Sequence, residues 1–145
     1  MAKHSKITSP KRRGAPLSDD DYRAAASLRQ ALRVFERRSE IVARQHGLTP
    51  RSYQLLLMIK TARTGDGNAG LPELEERLQL GKSTVTELVL RTEEHGFVRR
   101  DLDRTRPRGT AVHLTTAGQR RLAEAVGALG DERSRLREAL AMIEE

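Results

Sequence analysis

Apolar residues recur at helical spacing along most of the chain, and the period changes in one place only. Ser18 followed by Asp19, Asp20 and Asp21 supplies an N-cap and an acidic first turn, which together favour helix initiation. Leu28, Leu32 and Phe35 then mark one face, Ser39, Val42 and His46 continue it, and Gly47 closes the helix as the C′ residue. At ~1.5 Å per residue this helix is ~40 Å long. That is too long for a compact core, so the helix must project or pair. Thr49 as N-cap and Pro50 at N1 restart the chain in a short, mostly buried helix carrying Tyr53, Leu56, Leu57 and Lys60. A loop over 65–70 follows. Pro72 at N1 opens a third helix, with Leu71 as a weak N-cap and Leu74 and Leu78 facing inward. A short turn, Leu80-Gly81-Lys82, leads to a helix from about Ser83 to His95, with Val85, Leu88 and Val89 buried and Gly96 at its end. Helix, Gly-containing turn, helix at this spacing is a helix-turn-helix.

The period then shortens. Phe97 to Arg100 reads as a strand, "DLDRTRPRGT" as a polar connection, and Ala111 to Leu114 as the return strand. Two strands with an Arg-rich tip directly behind a helix-turn-helix make a winged helix. Thr116 and Gln119 form a capping box for the last helix. Along it Leu122, Leu129, Leu136 and Ile143 stand seven apart, supported by Val126 and Leu140, which predicts packing against a helix of a second chain. Gly127 and Gly130 should bend this helix midway, and Arg133 is the one polar interruption of its face.

Charge sharpens this picture. Of a net +7, residues 1–17 hold +5 (Lys3, Lys6, Lys11, Arg12, Arg13) and residues 97–115 hold +3, which leaves −1 for the rest. Basic charge confined to a flexible arm and a wing suits phosphate contacts, although solubility alone is the plainer reading. Aromatic residues are only 3%, which argues against single-strand or RNA binding by base stacking. The absence of cysteine removes disulfides and thiolate metal sites, and His4, His46, His95 and His113 lack metal-ligand spacing. No cofactor is expected. No apolar run approaches the ~18 residues of a membrane span and nothing reads as a signal peptide, so a cytoplasmic protein is expected.

"GKST" at 81–84 raises one competing chemistry. A phosphate-binding loop needs a second glycine five residues earlier, a preceding strand and a following helix. Glu76 occupies the glycine position, and "LPELEERLQL" is amphipathic helix. The nucleotide loop is therefore set aside. A recognition helix instead needs small polar and basic residues in its first turns. Lys82, Ser83, Thr84, Thr86, Glu87 and Arg91 meet that need. Lys82 and Ser83 stand where free helix N–H groups meet phosphate, the threonines can touch thymine methyls, and Glu87 can accept from cytosine N4.

"LRVFERRSEIVARQHGLTPRSYQLLLMIK", "LPELEERLQLGKSTVTELVLRTEEHGFVRR" and "VHLTTAG" together resemble the MarR family of transcriptional regulators, over residues ~22 to 143. The resemblance implies a fold that is mainly α with a small two- to three-stranded β-wing. The organisation is a basic arm over 1–17 and a single domain over 18–145, with dimerisation helices at 18–47 and 116–145 and a winged helix-turn-helix at 49–115. It also implies a homodimer on pseudo-palindromic double-stranded DNA, usually a repressor released by a small aromatic or phenolic ligand. A ligand pocket is implied where the long helices meet the winged helix; Arg38, Ser39 and Tyr53 are candidates to line it, structural roles there being equally natural. Family wings commonly carry Asp-Arg-Arg where this chain has Arg106, Pro107 and Arg108. Arg108 is thus the candidate for the minor groove, Arg104 and Arg106 for phosphates, and Asp103 for the missing acid. Thr92 replaces a large apolar residue of the family pattern. The altered wing motivates an alternative, a ligand-sensing or protein-interaction dimer with weak or lost specific DNA binding. No nucleophile–base pair or metal cluster supports an enzyme.

Overall fold

The computed structural model describes residues 15–143, so most of the basic arm lies outside it. The first helix, α1, runs Asp19–Gln45. Ser18 caps it in a reciprocal box: the Ser18 hydroxyl accepts from the Asp21 N–H, and the Asp21 carboxylate accepts from the Ser18 N–H at 2.8 Å. Gly47 (φ +75°) turns the chain out of the helix in a conformation that suits a residue without Cβ. A second box, Thr49 with Ser52, starts α2 (Pro50–Lys60).

In α2 the inward face differs from the expected one. Ser52, Leu55, Leu56 and Ile59 are buried, Tyr53 and Leu57 are half-buried, and Lys60 is exposed. The stripe is rotated because α2 is surrounded on several sides, by α1, α3 (Leu71–Leu78), α4 (Lys82–Glu94), α5 (Thr116–Ala128) and the strand Thr110–Leu114. Leu55, Leu56, Ile59, Leu74, Val85 and Val112 are fully enclosed there. Each such side chain contributes about 1.5–3 kcal/mol relative to exposure.

The sheet has three antiparallel strands in the order β1-β3-β2, where β1 is Ala69–Gly70, β2 is Val98–Leu102 and β3 is Thr110–Leu114. Gly70 pairs with Ala111 and so belongs to the sheet; it is also the N-cap of α3. This displaces the expected cap at Leu71, and Pro72 sits one residue further in. The last helix likewise starts a residue early. Thr115 is the N-cap, accepting from the Gly118 N–H at 3.0 Å.

The expected single C-terminal helix is two helices. α5 ends at Ala128, Leu129 is its C-cap, and α6 runs Gly130–Ile143. Arg133 donates to the Val126 carbonyl at 3.0 Å, beside the Leu129 N–H that also reaches it, so the side chain braces the break. The heptad divides at the same point. Leu122 and Leu129 are buried within their own chain, while Leu136 and Ile143 are only half-buried on α6, which folds back along α1. The upper half of the heptad is therefore core, not a seam for a second chain.

Candidate nucleic-acid interface

Val85, Leu88, Val89 and Thr92 bury one face of α4. Thr92 is 2% exposed, and its hydroxyl donates to the Leu88 carbonyl at 2.7 Å. The polar atom in this apolar slot is thus satisfied within the helix. At 100° per residue the opposite face carries Ser83, Thr86, Glu87, Leu90 and Glu94, all exposed. Lys82 stands exposed at the first position, Thr84 is half-buried, and Arg91 lies 3.2 Å from Glu87 across one turn. The N-cap is Gly81 with no capping side chain, so the first N–H groups of α4 remain open to an acceptor from outside.

Leu90, 38% exposed in the middle of this face, was missing from the sequence-based set. Helical spacing from Thr86 and Glu87 was enough to find it. An apolar residue among polar ones draws the eye to the core instead.

The wing turn between β2 and β3 is organised by Asp103. Its N–H donates to the Gly109 carbonyl at 2.8 Å. Its carboxylate accepts from the Thr105 hydroxyl at 2.6 Å, the Thr105 N–H at 3.0 Å and Arg106 Nε at 3.1 Å. The Thr105 hydroxyl first, then the Thr105 N–H and Arg106, hold the Asp103 carboxyl below the usual aspartate range. Asp103 therefore does steady the wing, as the missing family acid would.

The three wing arginines separate into two kinds. Arg106 is 16% exposed, bound to Asp103 and 3.8 Å from Asp66 in the loop before β1. Arg108 adopts a left-handed backbone (φ +62°, ψ 8°), which costs a non-glycine residue about 1–2 kcal/mol. Its guanidinium turns back onto α3 and donates to Glu75. This differs from the expected outward reach of Arg108. Arg104 alone of the three is exposed without an ion pair among the described residues. Next to the turn, Arg100 is tied to Glu93 by its N–H at 3.1 Å and its Nε at 3.0 Å, and these bonds, the side-chain one foremost, hold the Glu93 carboxyl low.

Of the ligand candidates, Arg38 alone, 3.8 Å from Glu132, lines the cleft of about 990 Å³ between α1 and α6, together with Val34, Phe35 and Leu136. Ser39 and Tyr53 are not in that lining. The Ser39 hydroxyl is buried without a partner. Burial pushes the Tyr53 phenol up, against the opposing charge and hydrogen bond of Arg133.

No family model matches the sequence, and neither does any curated protein. Solved structures do. AbsC, a MarR family transcriptional regulator from Streptomyces coelicolor, aligns with TM-score 0.72 and 19% identity, over 89% of this chain and 84% of that one. Sco5413, another MarR family transcriptional regulator from Streptomyces coelicolor, gives 0.68 and 22%, over 87% and 91%. A mutant MarR from E. coli complexed with operator DNA gives 0.68 and 20%, over 87% and 88%. The chain has the winged-helix fold of MarR-family transcription regulators. Among the described residues, no helix is long and apolar enough to cross a membrane.

Proposed function

We propose that the protein is a sequence-specific double-stranded DNA-binding regulator of transcription, acting in the cytoplasm as a homodimer and without catalysis. The observation that carries this is the exposed face of α4: Ser83, Thr86, Glu87 and Leu90 in line behind an uncapped helix N-terminus, flanked by a wing with a free arginine. Lys82, Ser83 and the open N–H groups meet phosphate, Thr84 and Thr86 offer hydroxyl and methyl, and Glu87 accepts from cytosine N4. Arg91 and Arg104 add backbone contacts, which fix register without reading sequence. Two copies related by a two-fold axis place their α4 helices ~34 Å apart on one face of DNA, so the site is a pseudo-palindrome. Repression relieved by a small aromatic or phenolic molecule is the regulatory form that the resemblance of the sequence to the MarR family implies.

Selection from a random duplex pool with wild type, Thr86→Ala and Glu87→Ala tests the reading. A palindromic consensus for wild type, altered at one symmetric pair of positions by each variant, is the expected result. An unchanged consensus removes these residues from base reading. Equal wild-type affinity for every sequence, at two salt concentrations, instead favours the dimer that has lost specific binding.

A further inference from the structure

The wing turn is fastened at two places by neighbouring arginines. Arg106 ties it to Asp103 and toward Asp66 on the β1 side. Arg108 ties it to Glu75 on α3, a residue 33 positions away in the chain. The Glu75 side chain is largely covered, at 16% exposed, while that of Arg108 keeps 35% in solvent. Arg108 also carries the left-handed backbone that brings the chain round to Gly109, whose N–H donates to the Arg106 carbonyl at 2.9 Å. In this shape of the turn the Arg108 guanidinium faces Glu75 and not outward. Arg104, between Asp103 and Thr105, is left as the projecting cation.

We propose that Glu75 is the positioning residue of the wing. Through Arg108 it clamps the turn to the first helix of the helix-turn-helix, so that Arg104 is the arginine delivered to DNA and Arg108 never touches it. The charge of Arg108 is already answered by Glu75, and its release would cost the wing its fixed place relative to α4. The inference rests on the DNA-binding reading for its consequence. The clamp itself exists without DNA.

A charge exchange separates the possibilities. The full-length chain is prepared as wild type, Glu75→Gln, Glu75→Arg, Arg108→Glu, Arg104→Ala and the double exchange Glu75→Arg with Arg108→Glu. The first readout is amide hydrogen exchange of Asp103 and Gly109 in the free protein. Single changes at Glu75 or Arg108 should accelerate it, and the double exchange should return it toward wild type. Unchanged protection in Glu75→Gln overturns the clamp, whatever the protein does with DNA.

The second readout is affinity for the selected duplex across a salt series. Each single change in the pair should weaken specific binding by about tenfold, within the range found for coupled neighbours, and the double exchange should recover most of it. Arg104→Ala should shallow the log–log salt slope by ~0.9 per protomer, while Glu75→Gln leaves the slope unchanged. Tighter binding by Glu75→Gln would make the pair a brake, and a double exchange as weak as Arg108→Glu alone would put Arg108 on the DNA. Either result overturns the proposal. A wild type that binds no duplex would sink the DNA reading and leave the exchange measurement to decide the clamp.

Discussion

The segment from α2 to β3 and the pair α1 with α6 are built from similar residues and reach opposite degrees of closure. In the first, apolar side chains from every helix and from β3 are enclosed by the chain itself. In the second, α6 buries no residue, and α1 buries only Ala43 near its end. Leu28, Val34 and Ile41 on α1 and Met142 on α6 remain exposed; of these, Val34 and Met142 line the cleft, where apolar side chains stand among charged ones such as Arg38, Glu132 and Arg135. The winged segment is finished as a single chain. The helical pair has an apolar stripe that no third element covers among the described residues, and exposed apolar patches of that kind are candidates for association surfaces. The difference shows which part of the sequence is closed by its own chain and which part is left open.

Deletions in the two regions should therefore behave differently. Leu55→Ala, at a fully enclosed site, should lower unfolding free energy by about 2–5 kcal/mol in urea titrations monitored by circular dichroism. A loss comparable to that of an exposed-site change would mean that the winged segment has no tight core.

Leu136→Arg places a charge in the half-buried cleft. Sedimentation should then report a single chain where wild type gives two, with the β2–β3 amides of the winged segment still protected. If the variant sediments as a stable dimer, the cleft is not the contact.

The smallest effect is expected in the wing. Because the Asp103 carboxyl is held low in the folded chain, its contribution is fully present above the unfolded value and is lost only as pH falls through the folded one. Its titration, followed by carboxyl NMR shifts, should have a midpoint below the ~3.9 of a free aspartate. A midpoint at or above that value would mean that the Thr105 and Arg106 bonds do not form in solution.

Much of the fold was legible where its cause is local. The Ser18–Asp21 and Thr49–Pro50 starts and the Gly47 stop rest on neighbours within four positions, and all stand where the sequence places them. Errors collect where a distant segment intervenes. Gly70 caps α3 because pairing with Ala111 fixes it, and Thr115 caps α5 because the Phe97 carbonyl, just before β2, holds its N–H. The α2 stripe is rotated because α1, α3, α4, α5 and β3 all pack on that helix. The α5–α6 break falls one residue before Gly130, inside the region that two glycines marked for bending. For the candidate interface, periodicity gave the face of α4 but left out Leu90. In the wing, spacing along the chain could not foresee that Glu75 would meet Arg108, since nothing in the order of residues brings α3 over the turn.

The junction of Gly96, Phe97, Thr115 and Gly118 has a mechanical meaning. Thr115 donates through its hydroxyl to the Gly96 carbonyl and through its N–H to the Phe97 carbonyl, and a Cβ on Gly118 would fall on that same Phe97 carbonyl. The tail of α4 and the head of α5 are thereby spliced with no slack, without room for even one methyl group. Torque applied to α5 reaches α4 as it would through a keyed shaft. Were two chains to pair through their long helices, a few degrees of tilt of α5 would pass through that joint and change the span between the two α4 helices.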